Sequence, residues 1–270
     1  MCNYYEIPDP AEFEQGFRPL TRQLQLFKPG VGPFNTGVFL RPAPKGGLEP
    51  VVGQWGMIRP SSNRRFEVKV RPGRKRPEPM LTNNCRLDSI LPPAGGRRKP
   101  TFAAAWLNGQ RCLVPMARYQ EPNWETGKNI WWSLRRADGQ PWAIAGLWSE
   151  WTDPETGELV PNYTCITVNC DSHPLLNRLH KPDPHLPPDQ QDKRSLVHIH
   201  EKDWDTWLHG TPEEAAALLV SAPAEMFDRA DALKTDKVVE AQQRGALVLP
   251  GETPQGTLFE DIDDTAEPKP

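Results

Sequence analysis

The sequence predicts a single α+β domain with a strand-rich core and peripheral helices. Pro and Gly contribute 31 and 20 of its 270 residues, which excludes a helical bundle or a coiled coil and favours short strands joined by ordered loops. Hydrophobic residues make up 37% of the chain and charged residues 25%. That is enough apolar material for a packed core and too much for a disordered protein.

Short runs of β-branched and aromatic residues, bounded by Pro, Gly, Asn and Asp, predict the strands. These runs occupy residues 51–57, 111–117, 130–135, 142–148 and 164–168. The sequence ADGQP at 137–141 has the residues of a tight turn, and it predicts a hairpin between the third and fourth of these strands.

Helical signals are fewer. A short helix is predicted to begin at Asp88, and KDWDTWL at 202–208 has the spacing that puts both of its Trp residues on one helical face. Thr211 is followed by Pro and two Glu, so it predicts a helix start with a hydroxyl cap, Pro in the first position and acids in the first turn.

Positive charge is concentrated in one part of the chain, although the formal net charge is −3. Residues 59–111 contain 13 Lys and Arg against three acids, interleaved with Trp and Phe. Cations that hold phosphates and rings that stack on bases are typical of a groove for single-stranded nucleic acid. For the run RPGRKRPEP at 71–79, a solvated loop and a nuclear-import signal are alternatives. Residues 251–270, with six acids and one Lys, predict an acidic, Pro-rich flexible tail.

The first residues, MCNYYEIPDP, have neither the basic nor the apolar region of a signal peptide. No run approaches the roughly 18 consecutive apolar residues of a membrane-spanning helix. We therefore expect a soluble, cytoplasmic protein with no membrane partner, and nothing in the sequence suggests more than a monomer.

The cysteines are an odd and scattered set, which argues against a disulfide framework. Cys165, Cys170 and His173 have an irregular spacing for a zinc site, and a fourth ligand is not evident. We therefore expect no metal ion and no other cofactor.

Cys2 is the residue with the most specific chemistry. Removal of Met1 would leave it with an α-amine and a thiol on adjacent carbons. An α-amine has a pKa of about 7.7–8.0, so part of it is neutral and nucleophilic near pH 7. Such an amine condenses with an aldehyde to a Schiff base, and the thiol can then close a five-membered thiazolidine ring. The amides of Asn83 and Asn84 could orient the amine.

Several motifs occur in the order found in the SRAP family, the SOS response-associated peptidases or abasic-site processing proteins, which this sequence resembles. They are MCN at the start, WGMI at 55–58, NNCRLDS at 83–89, RCLVPMARYQE at 111–121, HPLLNRLHKP at 173–182 and KDWDTWL at 202–208. The resemblance implies a domain over residues 2–235, with an open β-barrel core, peripheral helices and a basic cleft for single-stranded DNA.

The resemblance also implies catalytic roles. Cys2 would be the nucleophile that cross-links to the ring-opened aldehyde of an abasic site, and Asn84 would hold the terminal residue. Glu121 would take the proton of the amine and assist ring closure, while His180 would give a proton to the sugar oxygen or the leaving group.

For DNA contacts, the resemblance implies that Arg86 meets a phosphate next to the lesion and that Trp55 covers a base. The sequence also departs from the family pattern. Asn3 and Tyr4 follow the cysteine in place of Gly-Arg, and Pro122 follows the glutamate in place of Trp. The family's frequent His-x-Arg becomes His180-Lys181-Pro182, followed by an insertion at 183–192, so the arginine of that motif is missing. Arg194, which follows the insertion, is expected to supply the charge that is lost.

Three functions remain open at this point. The first is covalent capture of abasic sites in single-stranded DNA, with lyase-like Schiff-base chemistry. The second is a cysteine peptidase that uses Cys2 and begins by removing Met1. The third is a non-catalytic module that binds single-stranded DNA.

Overall fold

Strands dominate the fold, as the sequence predicts. The computed structural model describes residues 2–19, 30–70 and 77–230. In chain order the strands are Tyr5–Glu6 (β1), Gly30–Val31 (β2), Thr36–Pro42 (β3), Leu48–Trp55 (β4), Val68–Lys69 (β5), Glu78–Pro79 (β6), Asn84–Arg86 (β7), Arg111–Met116 (β8), Arg118–Asn123 (β9), Ile130–Arg136 (β10), Trp142–Thr152 (β11), Leu159–Asn169 (β12), Arg194–Leu196 (β13) and Phe227–Ala230 (β14). The α-helices are Pro10–Phe17 (α1), Leu87–Ile90 (α2), Pro100–Leu107 (α3), Trp204–His209 (α4) and Pro212–Ala217 (α5). Short 3-10 helices span Leu176–Arg178, Glu201–Asp203 and Ala224–Met226.

Five strands form a closed barrel. They follow one another in the order β11, β8, β3, β4 and β12, and β12 pairs back onto β11. The 11 residues of β12 make this closure possible, because their first part pairs with β11 while Asn162 and Tyr163 also pair with β4. The strand-rich α+β class is confirmed, and the barrel is closed where the resemblance implied an open one. Strands β7 and β13 add to β12 outside the ring.

A second sheet has the order β14, β10, β9, β1 and β2. It positions the site, because β1 begins three residues after Cys2 while β9 carries Glu121. The register Tyr5↔Tyr119 sets these two strands side by side. The amino-terminal residues are thereby held next to the strand that carries the buried carboxylate.

The predicted hairpin at 137–141 is wrong. Strand β10 pairs with β9 and β14 of the second sheet, whereas β11 pairs with β8 and β12 of the barrel. The turn is therefore a corner between two sheets. Six residues of β11, from Trp142 to Leu147, are buried. A strand with so many buried residues needs a neighbouring strand on each edge inside the barrel. The local turn sequence does not specify which strands these neighbours are.

The helix predictions at the carboxyl end are confirmed. The Thr211 hydroxyl accepts a hydrogen bond from the backbone N–H of Glu214, and the Glu214 carboxylate accepts one from the N–H of Thr211. This reciprocal cap begins α5. Two helices, α1 and α3, were not predicted. The first has the same kind of cap, formed by Asp9 and Glu12.

A buried pair of tyrosines ties β1 to the barrel. The Tyr5 and Tyr163 hydroxyl groups are hydrogen-bonded to each other, and both side chains are inaccessible to solvent. Gly37 lies beneath them, and a Cβ there would come within 2.2 Å of the Tyr163 oxygen. A glycine is therefore required for this close approach, which anchors the chain three residues after Cys2.

Among the described residues, no helix has the length and apolar character needed to cross a bilayer. The acidic tail predicted at 251–270, and positions 71–76 of the basic run, lie outside the described residues.

Candidate functional site

Cys2 lies at the centre of the candidate site and is completely buried. Its thiol donates a hydrogen bond to the carbonyl oxygen of Tyr4, with an Sγ–O distance of 3.3 Å. Its own carbonyl oxygen accepts two hydrogen bonds, from the Nδ2 atoms of Asn83 at 3.1 Å and Asn84 at 2.6 Å. Two neighbouring amides therefore hold the backbone of the residue that carries the thiol.

Strand pairing fixes the two asparagines. Asn84 begins β7, which pairs in parallel with β12, and the carbonyl of Asn83 accepts a hydrogen bond from the N–H of Cys165. The Oδ1 atoms of both asparagines are buried and have no hydrogen-bond partner within the described ranges. Buried acceptors without a donor are costly, so these two oxygens are suited to receive N–H groups of a molecule or terminus at the site.

Glu121 and His180 form the second part of the site. Glu121 is 2% exposed on β9, and its Oε2 lies 3.4 Å from Nε2 of His180. His180 adopts the left-handed backbone conformation with φ of 62°, which is uncommon for residues other than glycine. Its N–H donates to the carbonyl of Pro122 at 2.6 Å. Nε2 of the His180 ring also lies 3.3 Å from the carbonyl oxygen of Arg194.

Burial controls the protonation of this site. Burial raises the pKa of the Cys2 thiol well above its ordinary value, and the nearby charge of Glu121 raises it further. The pKa of His180 is lowered, chiefly by burial, although the Glu121 carboxylate opposes this. The thiol and the imidazole are therefore both neutral near pH 7. A cysteine peptidase needs a thiolate nucleophile, and this environment disfavours one.

A network of four charged side chains lies beside the amide pair. Arg86 is bound to Asp88 at 2.8 Å and to Asp192 at 2.5 Å. Arg194, of which 9% of the side chain is exposed, also binds Asp192 and lies 3.7 Å from Asp88. The Nε atom of Arg194 is buried without a hydrogen-bond partner in the part of the chain that the structure describes. The two arginines expected to contact DNA are thus brought together, but each is paired with acids.

Trp55 does not face a ligand. Its side chain is completely buried in the core and meets the ring of Tyr5 edge-on, with ring centroids 5.0 Å apart. The expectation that Trp55 covers a base is therefore wrong, because an indole enclosed on all sides has no free face. As the last residue of β4, it points into the interior beside β1.

Sequence reasoning missed two further residues of the site, Asp192 and Lys193. Asp192 is the last residue of the insertion, and its distance of 106 residues from Arg86 in the sequence gives no indication that the two are paired. Lys193 is 7% exposed and its ammonium group contacts the backbone beside His180. A Lys next to the expected Arg194 gave no signal, because lysine is normally a surface residue. Within the described ranges, no cluster of three or more His, Cys, Asp and Glu is suited to hold a metal ion.

One family model matches the chain, and solved structures share its fold. Residues 2–241 match the family model described as SOS response associated peptidase (SRAP). No curated protein is significantly similar to the chain. A crystal structure of a protein from Bordetella bronchiseptica has 26% sequence identity and a TM-score of 0.67, with 84% of this chain and 97% of that chain covered.

Two more distant crystal structures share the fold. One, of a protein from Bacteroides thetaiotaomicron, has 19% identity and a TM-score of 0.61, with 84% of this chain and 90% of that chain covered. The other, of a phage-related protein from Bordetella bronchiseptica, has 14% identity and a TM-score of 0.54, with 84% and 92% covered.

Proposed function

The chain belongs to the SOS response associated peptidase (SRAP) family, and on this basis we propose that it binds single-stranded DNA and captures abasic sites through a covalent bond to Cys2. The observation that carries the proposal is the position of Cys2. Its carbonyl accepts hydrogen bonds from Asn83 and Asn84, and the charge of the buried Glu121 raises the pKa of its thiol.

The proposed reaction loses one molecule of water overall. After removal of Met1, the α-amine of Cys2 attacks the aldehyde carbon of the ring-opened sugar, and the resulting carbinolamine loses water to give a Schiff base. The thiol sulfur then bonds to the same carbon, and its proton passes to the nitrogen. The product is a thiazolidine ring that joins Cys2 to the DNA.

The neighbouring side chains suit the proton transfers of this reaction. The Glu121 carboxylate can take the proton of the amine and pass it to the neutral His180 ring, 3.4 Å away, which can then protonate the departing hydroxyl. The unpartnered Oδ1 atoms of Asn83 and Asn84 can accept hydrogen bonds from the amine. A neutral thiol is sufficient here, because the activated carbon of a Schiff base is attacked within the same molecule.

The two other hypotheses fit the site less well. The high pKa of the Cys2 thiol disfavours a peptidase mechanism, in which the thiolate attacks a peptide carbonyl. A module that only binds DNA would have no use for a buried carboxylate and imidazole beside the amino terminus. Both hypotheses nevertheless make distinct predictions in the same experiment.

That experiment uses an oligonucleotide made abasic by uracil excision. The purified protein, with Met1 removal verified by intact mass, is incubated with it, boiled in SDS and analysed on a gel. We expect a shifted band with the abasic strand only. The intact strand, and an abasic strand whose aldehyde has been reduced to an alcohol beforehand, are the matched controls.

Each alternative has its own outcome. Cleavage of a peptide substrate without DNA, and no stable adduct, would support the peptidase. Salt-sensitive binding in a native gel, and no band that survives SDS, would support the binding module. Equal adduct with the reduced strand would contradict aldehyde capture.

The charged network predicts that Asp192 competes with DNA. A phosphate that contacts Arg86 has to displace the Asp192 carboxylate, which bridges Arg86 and Arg194. We expect Asp192→Asn to bind a single-stranded oligonucleotide about three- to tenfold more tightly at low salt. The plot of log affinity against log salt concentration should become steeper by roughly 0.7, because about one more phosphate is neutralised by the protein.

Asp189→Asn is the matched control. Asp189 is an exposed carboxylate of the same insertion, so this variant makes the same charge change away from the arginines. Fluorescence anisotropy at several salt concentrations measures both variants. An equal gain in the two would mean that general charge repulsion, and not the pairing with Arg86, limits binding.

A further inference from the structure

Lys193 is a buried cation in an unusual position. Its side chain lies between the end of the insertion and β13, and the residue is 7% exposed. The ammonium group donates to the carbonyl oxygens of Leu179 at 2.5 Å and His180 at 2.6 Å. These are the two carbonyls on either side of the His180 α-carbon. The hydrogen bonds of the buried ammonium group therefore fix the backbone on both sides of His180.

The backbone N–H and the carbonyl group of His180 are both hydrogen-bonded. His180 is in the left-handed conformation, and its N–H is bound to the carbonyl of Pro122. A residue other than glycine keeps this conformation only where its surroundings enforce it. The two charge-assisted hydrogen bonds from Lys193 supply much of that enforcement.

The insertion makes such a tie necessary. His180 and Lys193 flank the insertion, with Lys181, Pro182 and the ten inserted residues between them. The Asp171 carboxylate fixes the far end by accepting the N–H groups of Asp192 and Lys193 at 3.0 and 2.7 Å. The Lys193 ammonium group donates to the His180 carbonyl oxygen and so links the two residues that flank the insertion. The histidine thus stays opposite Glu121 whatever the rest of the insertion does.

We propose that Lys193 is a positioning residue for His180, which keeps the imidazole beside Glu121 by binding the carbonyls of residues 179 and 180. The inference rests on the proposed function only in that His180 is taken to transfer protons during capture. The clamp itself is independent of DNA.

The charged and titratable groups around this clamp are few. Glu121 of β9 and Lys193 act on the pKa of His180, while Cys170 and Asp171, just after β12, act on the pKa of the Lys193 ammonium group. Loss of the positive charge at position 193 removes one group that lowers the pKa of His180. Movement of the ring away from Glu121 acts in the opposite direction, because the carboxylate raises that pKa. The position of the ring, and not its pKa, is therefore the diagnostic readout.

The test compares Lys193→Met with Lys193→Arg. Methionine keeps the apolar stem but lacks the charge and the hydrogen-bond donors. Arginine keeps the charge and the donors. Nuclear magnetic resonance of the His180 ring, recorded without DNA, reports its environment and its pKa. We expect the ring signals to move in Lys193→Met and to return toward the wild-type positions in Lys193→Arg.

The second readout is the rate of adduct formation and reversal on abasic DNA. We expect Lys193→Met to slow whichever step His180→Ala slows, by about 10- to 100-fold. In the His180→Ala background, Lys193→Met should have no further effect. If Lys193→Met does not fold, Lys193→Gln replaces it, since glutamine retains N–H donors but not the charge.

Unchanged His180 ring signals in Lys193→Met would overturn the proposal, as would an equal slowing in the presence and absence of His180. Failure of the proposed function is recognised separately, because the wild-type protein would then form no adduct while the resonance experiment would still report on the clamp.

Discussion

Cys2→Ala is expected to abolish the SDS-stable adduct with abasic DNA. Alanine at the mature terminus keeps the α-amine, so a Schiff base can still form. Without the thiol the ring cannot close, and the Schiff base hydrolyses when the sample is denatured. The side chain is buried but small, so we expect a stability loss of only about 1 kcal/mol.

The control for Cys2→Ala is chemical. Borohydride added during the incubation reduces a Schiff base to a stable amine, and a band should then reappear with the variant. Gel analysis with and without borohydride separates loss of the thiol from loss of binding. A stable adduct formed by Cys2→Ala without borohydride would show that another residue is the covalent partner.

Trp55→Ala is expected to have the largest effect on stability. It removes a completely buried indole that packs on Tyr5, and such truncations cost about 3–5 kcal/mol. Urea unfolding measures this directly. The variant should lose DNA capture only in proportion to the fraction that is unfolded.

A milder variant, Trp55→Leu, distinguishes the core from a stacking surface. Leucine cannot stack on a base, and loss of such stacking would weaken binding by about 1–3 kcal/mol. Because Trp55 is enclosed, we expect unchanged DNA affinity for the folded variant. The matched control is Trp124→Leu, at a half-buried indole that Lys181 overlies, where the stability loss should be far smaller. Weaker DNA binding by folded Trp55→Leu would contradict the core assignment.

The buried acids and bases explain why the site is difficult to predict as a unit. The residue types of Cys2, Asn84, Glu121 and His180 suggest their chemistry, and the structure brings them together. Their burial was not predicted, and it changes the chemistry, because it keeps the thiol and the imidazole neutral. This neutrality is the reason why we propose condensation with an aldehyde and not thiolate attack.

Local sequence was sufficient for features that depend on neighbouring residues. Strand segments follow from β-branched and aromatic runs, and the start of α5 follows from Thr211 and Glu214, because a cap is formed within one turn. The aminothiol chemistry of Cys2 likewise requires nothing beyond the residue itself and the loss of Met1.

Tertiary structure alone decided the features that depend on distant partners. Strand β11 joins the barrel and not β10, Trp55 turns inward, and Asp192 reaches Arg86 across 106 positions of the chain. In each case the outcome depends on which long-range contacts bury the most apolar surface and satisfy the most polar groups. These contributions come from contacts throughout the molecule, so a short stretch of sequence cannot determine the outcome.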